Sequence, residues 1–79
     1  MTSSRQRFKA ARLAAGFGQR AYARLIGKHY VTVLRWETGF TPVPLDELVR
    51  GARLFGVRRE WLVFGTGSMR PQSSTAEVG

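Results

Sequence analysis

The side chains of this chain that could do chemistry are cations and hydrogen-bonding forks rather than nucleophiles. Cysteine is absent and histidine occurs once, at His29, with no second histidine or thiolate to share a metal. The acids Glu37, Asp46, Glu47, Glu60 and Glu77 form no carboxylate dyad within plausible reach, and no nucleophile has a partner base. The FGTG at 64–67 lacks the strand and lysine of a phosphate loop. The expectation is no enzyme, no metal and no cofactor. What remains is recognition chemistry, concentrated in Tyr30, Val31, Thr32 and Arg35. Arg35 carries a planar fork that can clamp two acceptors at once, Thr32 a hydroxyl and a methyl, Val31 an apolar contact, and Tyr30 a ring and a phenol.

The partner's charge follows from the cations. Thirteen Lys and Arg stand against five Asp and Glu, for a formal charge of +8 in 79 residues. All of the imbalance lies in residues 1–36, where Arg5, Arg7, Lys9, Arg12, Arg20, Arg24, Lys28 and Arg35 face no acid. A half so basic is either a solubilising surface or the footprint of a polyanion binder.

The elements that must position these groups favour the second reading. In Gln19–Ile26 the apolar residues Tyr22, Ala23 and Ile26 fall at helical spacing, and Gly27 permits a sharp exit. A second helix is predicted from about Tyr30 to Thr38, with Val33 and Trp36 inward and Gly39 as its stop. Helix, glycine turn and helix make the unit that lays its second helix in a DNA major groove. The basic half and this unit coincide, and that points to double-stranded DNA as the partner.

The rest of the chain frames the unit. Residues 1–4 read as a frayed N-terminus in which Ser3 or Ser4 can cap a first helix, Arg5 to Ala15, with Phe8, Ala11 and Ala15 inward. Phe17 is placed to plug the gap to the next helix. A fourth helix, about Pro44 to Phe55, carries the stripe Leu45, Leu48, Val49, Ala52 and Phe55, and Pro44 suits its first turn. A short fifth runs roughly Arg58 to Phe64, and residues 66–79 read as a disordered tail behind a domain spanning 5–65. The chain has neither an apolar run of membrane-spanning length nor a hydrophobic leader, so a cytoplasmic protein with no membrane partner is expected.

With five helices placed, the chain resembles the phage repressor and Cro family of helix-turn-helix proteins, the xenobiotic-response-element (XRE) type. The likeness covers about Phe8 to Phe64. It rests on FKAARLAAG in the first helix, Gln19 opening the second, the Ala23 and Gly27 pair, VTVLRWETG ending the third and RLFGVRREWLVFG at the end. It implies an all-α, five-helix, lambda-repressor-like DNA-binding domain. It also implies that Gln19 binds a phosphate, that Ala23 is small where two helices cross, that Arg12 pairs with Glu37, and that Tyr30, Val31, Thr32 and Arg35 face the bases. Arg20, Lys28 and Thr41 are expected phosphate contacts beside Gln19, with Arg5, Arg7 and Arg24 as further candidates. Three positions depart from the family pattern: Lys28 follows the turn glycine where an apolar residue is usual, His29 replaces a Ser or Thr cap, and Leu34 stands at a commonly polar site.

The groove chemistry gives each reader an alternative. Arg35 can bond guanine O6 and N7 together or reach only phosphate; Val31 can press on a thymine methyl or pack inward; Tyr30 can stack or bond a phosphate. Leu34 meets DNA methyls, folds onto Tyr30 or is an ordinary exposed leucine. In the fifth helix Trp61, Leu62, Val63 and Phe64 cannot all face one small core. Leu62 is the core candidate, and Trp61, Val63 and Phe64 are left for the surface of the fourth helix or for a partner, expected to be the second copy in a homodimer reading a two-fold operator. The function expected is a compact transcriptional regulator that reads an operator and has no evident small-molecule effector. An antitoxin of a toxin–antitoxin pair and a protein-interaction module on the same fold are the alternatives.

Overall fold

A computed structural model of the chain describes residues 2–70. Five helices make up its regular structure: α1 (Ser4–Ala14), α2 (Gln19–Ile26), α3 (Tyr30–Thr38), α4 (Leu45–Phe55) and α5 (Arg59–Phe64). No strand occurs among the described residues. α1 touches α3, α4 and α5, while α2 packs on α3 and α4 on α5.

The N-terminus is anchored rather than frayed. Ser3 caps α1 in a reciprocal box: its hydroxyl accepts from the Gln6 amide, and its own amide donates to Gln6 Oε1 at 2.8 Å. Ser4 is already helical, and Met1 lies outside the described residues. α1 stops one residue short of Ala15, which is exposed, so its inward face is Phe8 and Ala11 flanked by two buried arginines, Arg7 and Arg12. Arg7, a phosphate candidate from sequence, is turned away from solvent. It closes the end of α5 by donating through Nε to the Leu62 carbonyl and through a terminal nitrogen to Val63, both at 3.1 Å, and it also bonds the Thr2 carbonyl.

Four helices each send one aromatic ring to the centre. Phe8 meets Tyr22, Trp36 and Phe55 edge-on, with centroids 5.3 to 6.0 Å apart. Phe17, in the α1–α2 link, leans on Tyr22 and Phe55, and Leu62 of α5 completes the buried set. Crowding so many rings requires a gap in α4, and Gly51 provides it. A Cβ there would lie 2.9 Å from a Phe8 ring carbon and 3.1 Å from one of Phe55.

The α4 stripe is rotated from the expected one. Leu48, Ala52 and Phe55 are buried and Val49 is half-buried, but Leu45 is 63% exposed, because Pro44 is the cap and Leu45 opens the helix at its rim. Glu47 and Gly51 take the inward positions instead. On α5, Trp61 and Val63 lean on the core and Phe64 is 74% exposed. The expected tail begins at Thr66, yet the Arg58 amide donates to the Met69 carbonyl at 2.9 Å and Met69 packs on the core. The part of that tail from 71 to 79, Glu77 included, lies outside the described residues.

Two stability measurements check this packing. Gly51→Ala gains helix propensity of about 1 kcal/mol but overpacks the rings, so chemical denaturation should show a net loss of roughly 1–2 kcal/mol. Separately, burial, and secondarily the Glu47 carboxylate, push the Tyr22 hydroxyl up from 10.0 to about 12, against a smaller lowering by Arg50. The folded state therefore holds this proton more tightly than the unfolded chain. The resulting stability, about 2–3 kcal/mol, is complete below pH 10 and lost as pH rises toward 12. Tyr22→Phe, which removes a hydroxyl with no hydrogen-bond partner, should flatten that alkaline decline in stability.

Candidate nucleic-acid interface

α2 and α3 are joined by a turn that only a left-handed residue completes. Gly27 has φ 72°; its amide bonds back to the Arg24 carbonyl and the Lys28 amide to Ala23 at 2.9 Å, closing the end of α2. His29 caps α3, its Nδ1 accepting the Val31 amide at 3.2 Å. Since only the neutral tautomer with Nδ1 unprotonated can accept, the imidazole here stands in for the usual hydroxyl. At the far end Gly39, φ 84°, stops α3, and the Arg5 guanidinium lies against it and donates to the Glu37 carbonyl at 3.2 Å.

Beneath the helix pair lies a buried ion pair. Arg12 Nε and a terminal nitrogen meet the two Glu37 oxygens at 2.6 and 2.9 Å, with side chains 4% and 2% exposed. The remaining Arg12 nitrogen bonds the Phe17 carbonyl at 2.6 Å, and Gln19 Nε2 donates to Glu37 Oε1 at 3.1 Å. Gln19, expected on phosphate, thus spends its amide donor inside the protein. The network ties α1, the following link, the start of α2 and the end of α3 into one unit.

The outer face of α3 presents Tyr30, Val31 and Thr32, half-buried, and Leu34 and Arg35, exposed, while Val33, Trp36 and Glu37 face inward. Arg35 Cζ lies 5.4 Å from the centre of the exposed Phe40 ring. The Arg20 guanidinium lies 3.8 Å over the Tyr30 ring, which also stacks on the His29 imidazole with centroids 4.9 Å apart. Tyr30's π surface is therefore already engaged within the protein, which leaves little of it for a base. Thr41 is half-buried in a cleft beside Ser3, Ser4, Arg5 and Gly39.

Of the uncompensated cations, Lys9 is exposed on α1 and the others divide into two sets. Arg5, Arg7 and Arg12 turn inward to carbonyls or to Glu37. Arg20, Arg24, Lys28 and Arg35 stay exposed on α2, the turn and α3; the first three, with Ala23, His29 and Tyr30, line one shallow concave strip. Lys28 also lies 4.0 Å from Glu47, a buried acid that sequence reasoning passed over. Arg50 binds both Glu47, at 3.6 Å, and the Ile26 carbonyl, at 3.2 Å, so α4 braces the turn. Glu47 follows Pro44 by three residues, which puts it over the end of α2.

Of the residues expected at a dimer interface, Trp61 and Val63 are partly taken up by the core. Phe64 instead joins Leu45, Val49 and Val63 in an apolar groove between α4 and α5, edged by Arg59 and Glu60. Among the described residues no His, Asp and Glu cluster could hold a metal, and no helix is long and apolar enough to cross a membrane.

A comparison with protein families matches residues 8–62, the greater part of the chain, to the helix-turn-helix family. No curated protein and no solved structure matches at a significant level. The matched span runs from Phe8 to Leu62, taking in the ion pair, the turn and all of α3. Removing one partner of that pair leaves a buried charge without compensation. Glu37→Ala should therefore cost about 3–5 kcal/mol of folding stability in urea titration, while Glu60→Ala on the exposed side of α5 should stay within about 0.5 kcal/mol.

Proposed function

The chain belongs to the XRE-type helix-turn-helix family of DNA-binding proteins, with its five-helix lambda-repressor-like fold, and from that premise we propose that it is a sequence-specific transcriptional regulator. α3 lies in the major groove, and the protein acts by occupying an operator. The observation that carries this reading is the contrast among the basic residues. Within the basic half of the chain, Arg5, Arg7 and Arg12 of α1 are spent on internal carbonyls and a carboxylate and Lys9 is exposed, whereas Arg20, Arg24, Lys28 and Arg35 remain exposed together on the helix-turn-helix itself.

Roles follow from the geometry. Arg35, exposed on α3 and without an internal hydrogen bond, reads a guanine through O6 and N7. Val31 and the Thr32 methyl meet thymine methyls. Arg24 and Lys28 neutralise phosphates, with Lys28 shared between DNA and Glu47. The groove of Leu45, Val49, Val63 and Phe64 takes the same groove of a second copy, giving a two-fold dimer whose α3 helices face successive major grooves. In this role the protein works in the cytoplasm, where its operator is.

Selection from a random double-stranded DNA pool at physiological salt tests the reading. The expected product is an inverted repeat with half-sites about one helical turn, roughly 10 base pairs, apart. With Arg24 and Lys28 neutralising two phosphates per subunit, log affinity of one subunit on a half-site should fall with log salt at a slope of about −2. Binding that enriches no sequence would sink the proposal.

A further inference from the structure

Most arginines around the helix pair have their donors committed. Arg5, Arg7, Arg12 and Arg50 each donate to a backbone carbonyl or a carboxylate. Arg20 and Arg35 donate to neither, and both are held by an aromatic ring. The two rings mark the ends of α3: Tyr30 is its first residue, and Phe40 follows its terminal glycine. A guanidinium laid on a ring keeps its five N–H groups in its own plane, so the contact fixes the fork's orientation without using its donors.

Arg20 is the better fixed of the two. Its guanidinium is 3.8 Å over Tyr30, Tyr30 stacks on His29, and His29 is pinned by the hydrogen bond that caps α3. Both nearby acids are engaged elsewhere: Glu37 by Arg12 and Gln19, Glu47 by Lys28 and Arg50. Arg20 belongs to α2, yet its fork sits over the end of α3 whose residues reach base edges in a helix-turn-helix complex.

We propose that Arg20 is a second base-reading residue, clamping a guanine at the outer end of each half-site, and that Tyr30 is its positioning residue rather than a base contact. The inference rests on the reading that α3 enters the major groove. It differs from the sequence-based assignment, which put Arg20 on phosphate and Tyr30 on a base. Each half-site then carries two arginine-read guanines, one from either end of α3.

The test is the same selection from random double-stranded DNA, run on the full chain and on three variants, with the melting temperature of each variant checked first. The wild type should show guanine preference at two positions per half-site. Arg20→Lys keeps the charge but loses the fork, and should abolish the preference at the outer position while sparing the one read by Arg35. The preference lost should correspond to roughly 5- to 150-fold in relative affinity. Tyr30→Phe should preserve both preferences, and Tyr30→Leu should lose the outer one as Arg20→Lys does. The inference is overturned if Arg20→Lys leaves both guanine preferences and the salt slope unchanged, the behaviour of a phosphate contact whose charge lysine keeps. It is overturned equally if Tyr30→Phe removes the outer preference, since the phenol would then be the reader. A wild type that enriches no sequence overturns the operator reading itself, whereas a wild-type motif untouched by Arg20→Lys overturns only the role of Arg20.

Discussion

The arrangement of the DNA-binding unit depends on a carboxylate that water scarcely reaches. Glu37 ends the inner face of α3, and its two oxygens take three donors, two from Arg12 and one from Gln19. Burying both charges is expensive, and only a geometry in which every strong donor finds its acceptor offsets the loss of hydration. Arg12 meets that demand by giving its last nitrogen to the Phe17 carbonyl, which also orients the link between α1 and α2. A small rotation of α3 would separate charges with no water to replace the partner. The network therefore specifies the angle of α3 more than it contributes net stability.

Above this pin, the core works by complementary bulk. One ring from each of α2, α3 and α4 converges on Phe8 of α1, and the absence of a side chain at Gly51 lets the rings close. Glycine inside a helix costs backbone entropy, and here that cost is balanced by edge-on contacts that a methyl group would push apart. α5 is short and leans on this centre through Leu62, with the Arg7 guanidinium covering its terminal carbonyls. The first helix thus holds the fifth as well as the third.

Much of this was legible in the residues. Apolar spacing and left-handed glycines located all five helices to within a residue or two at each end, and the turn at Gly27 followed from the same signals. The destinations of the long polar side chains were not legible. Arg5, Arg7 and Arg20 look alike in a sequence, yet one covers the end of α3, one the end of α5, and one lies on a tyrosine. Such fates depend on which carbonyl or ring the fold brings within reach, and period counting carries no information about that. Leu45 was read as inward because it continues the apolar stripe one turn before Leu48 and Val49, but it opens the helix at its rim, beyond the reach of the core. Thr66–Arg70 escaped notice because small polar residues leave no periodic trace even where a backbone hydrogen bond holds them.

α3 is bounded on both sides by glycine stops, with an imidazole cap at its start and its buried residues confined to Val33, Trp36 and Glu37. Its remaining face is free of packing obligations at Leu34 and Arg35 and only half-committed at Val31 and Thr32. The helix is in effect an exchangeable cassette. Its outer positions can be exchanged by substitution while the scaffold keeps its angle, so a change in the chemistry this face presents runs through few residues and need not disturb the fold.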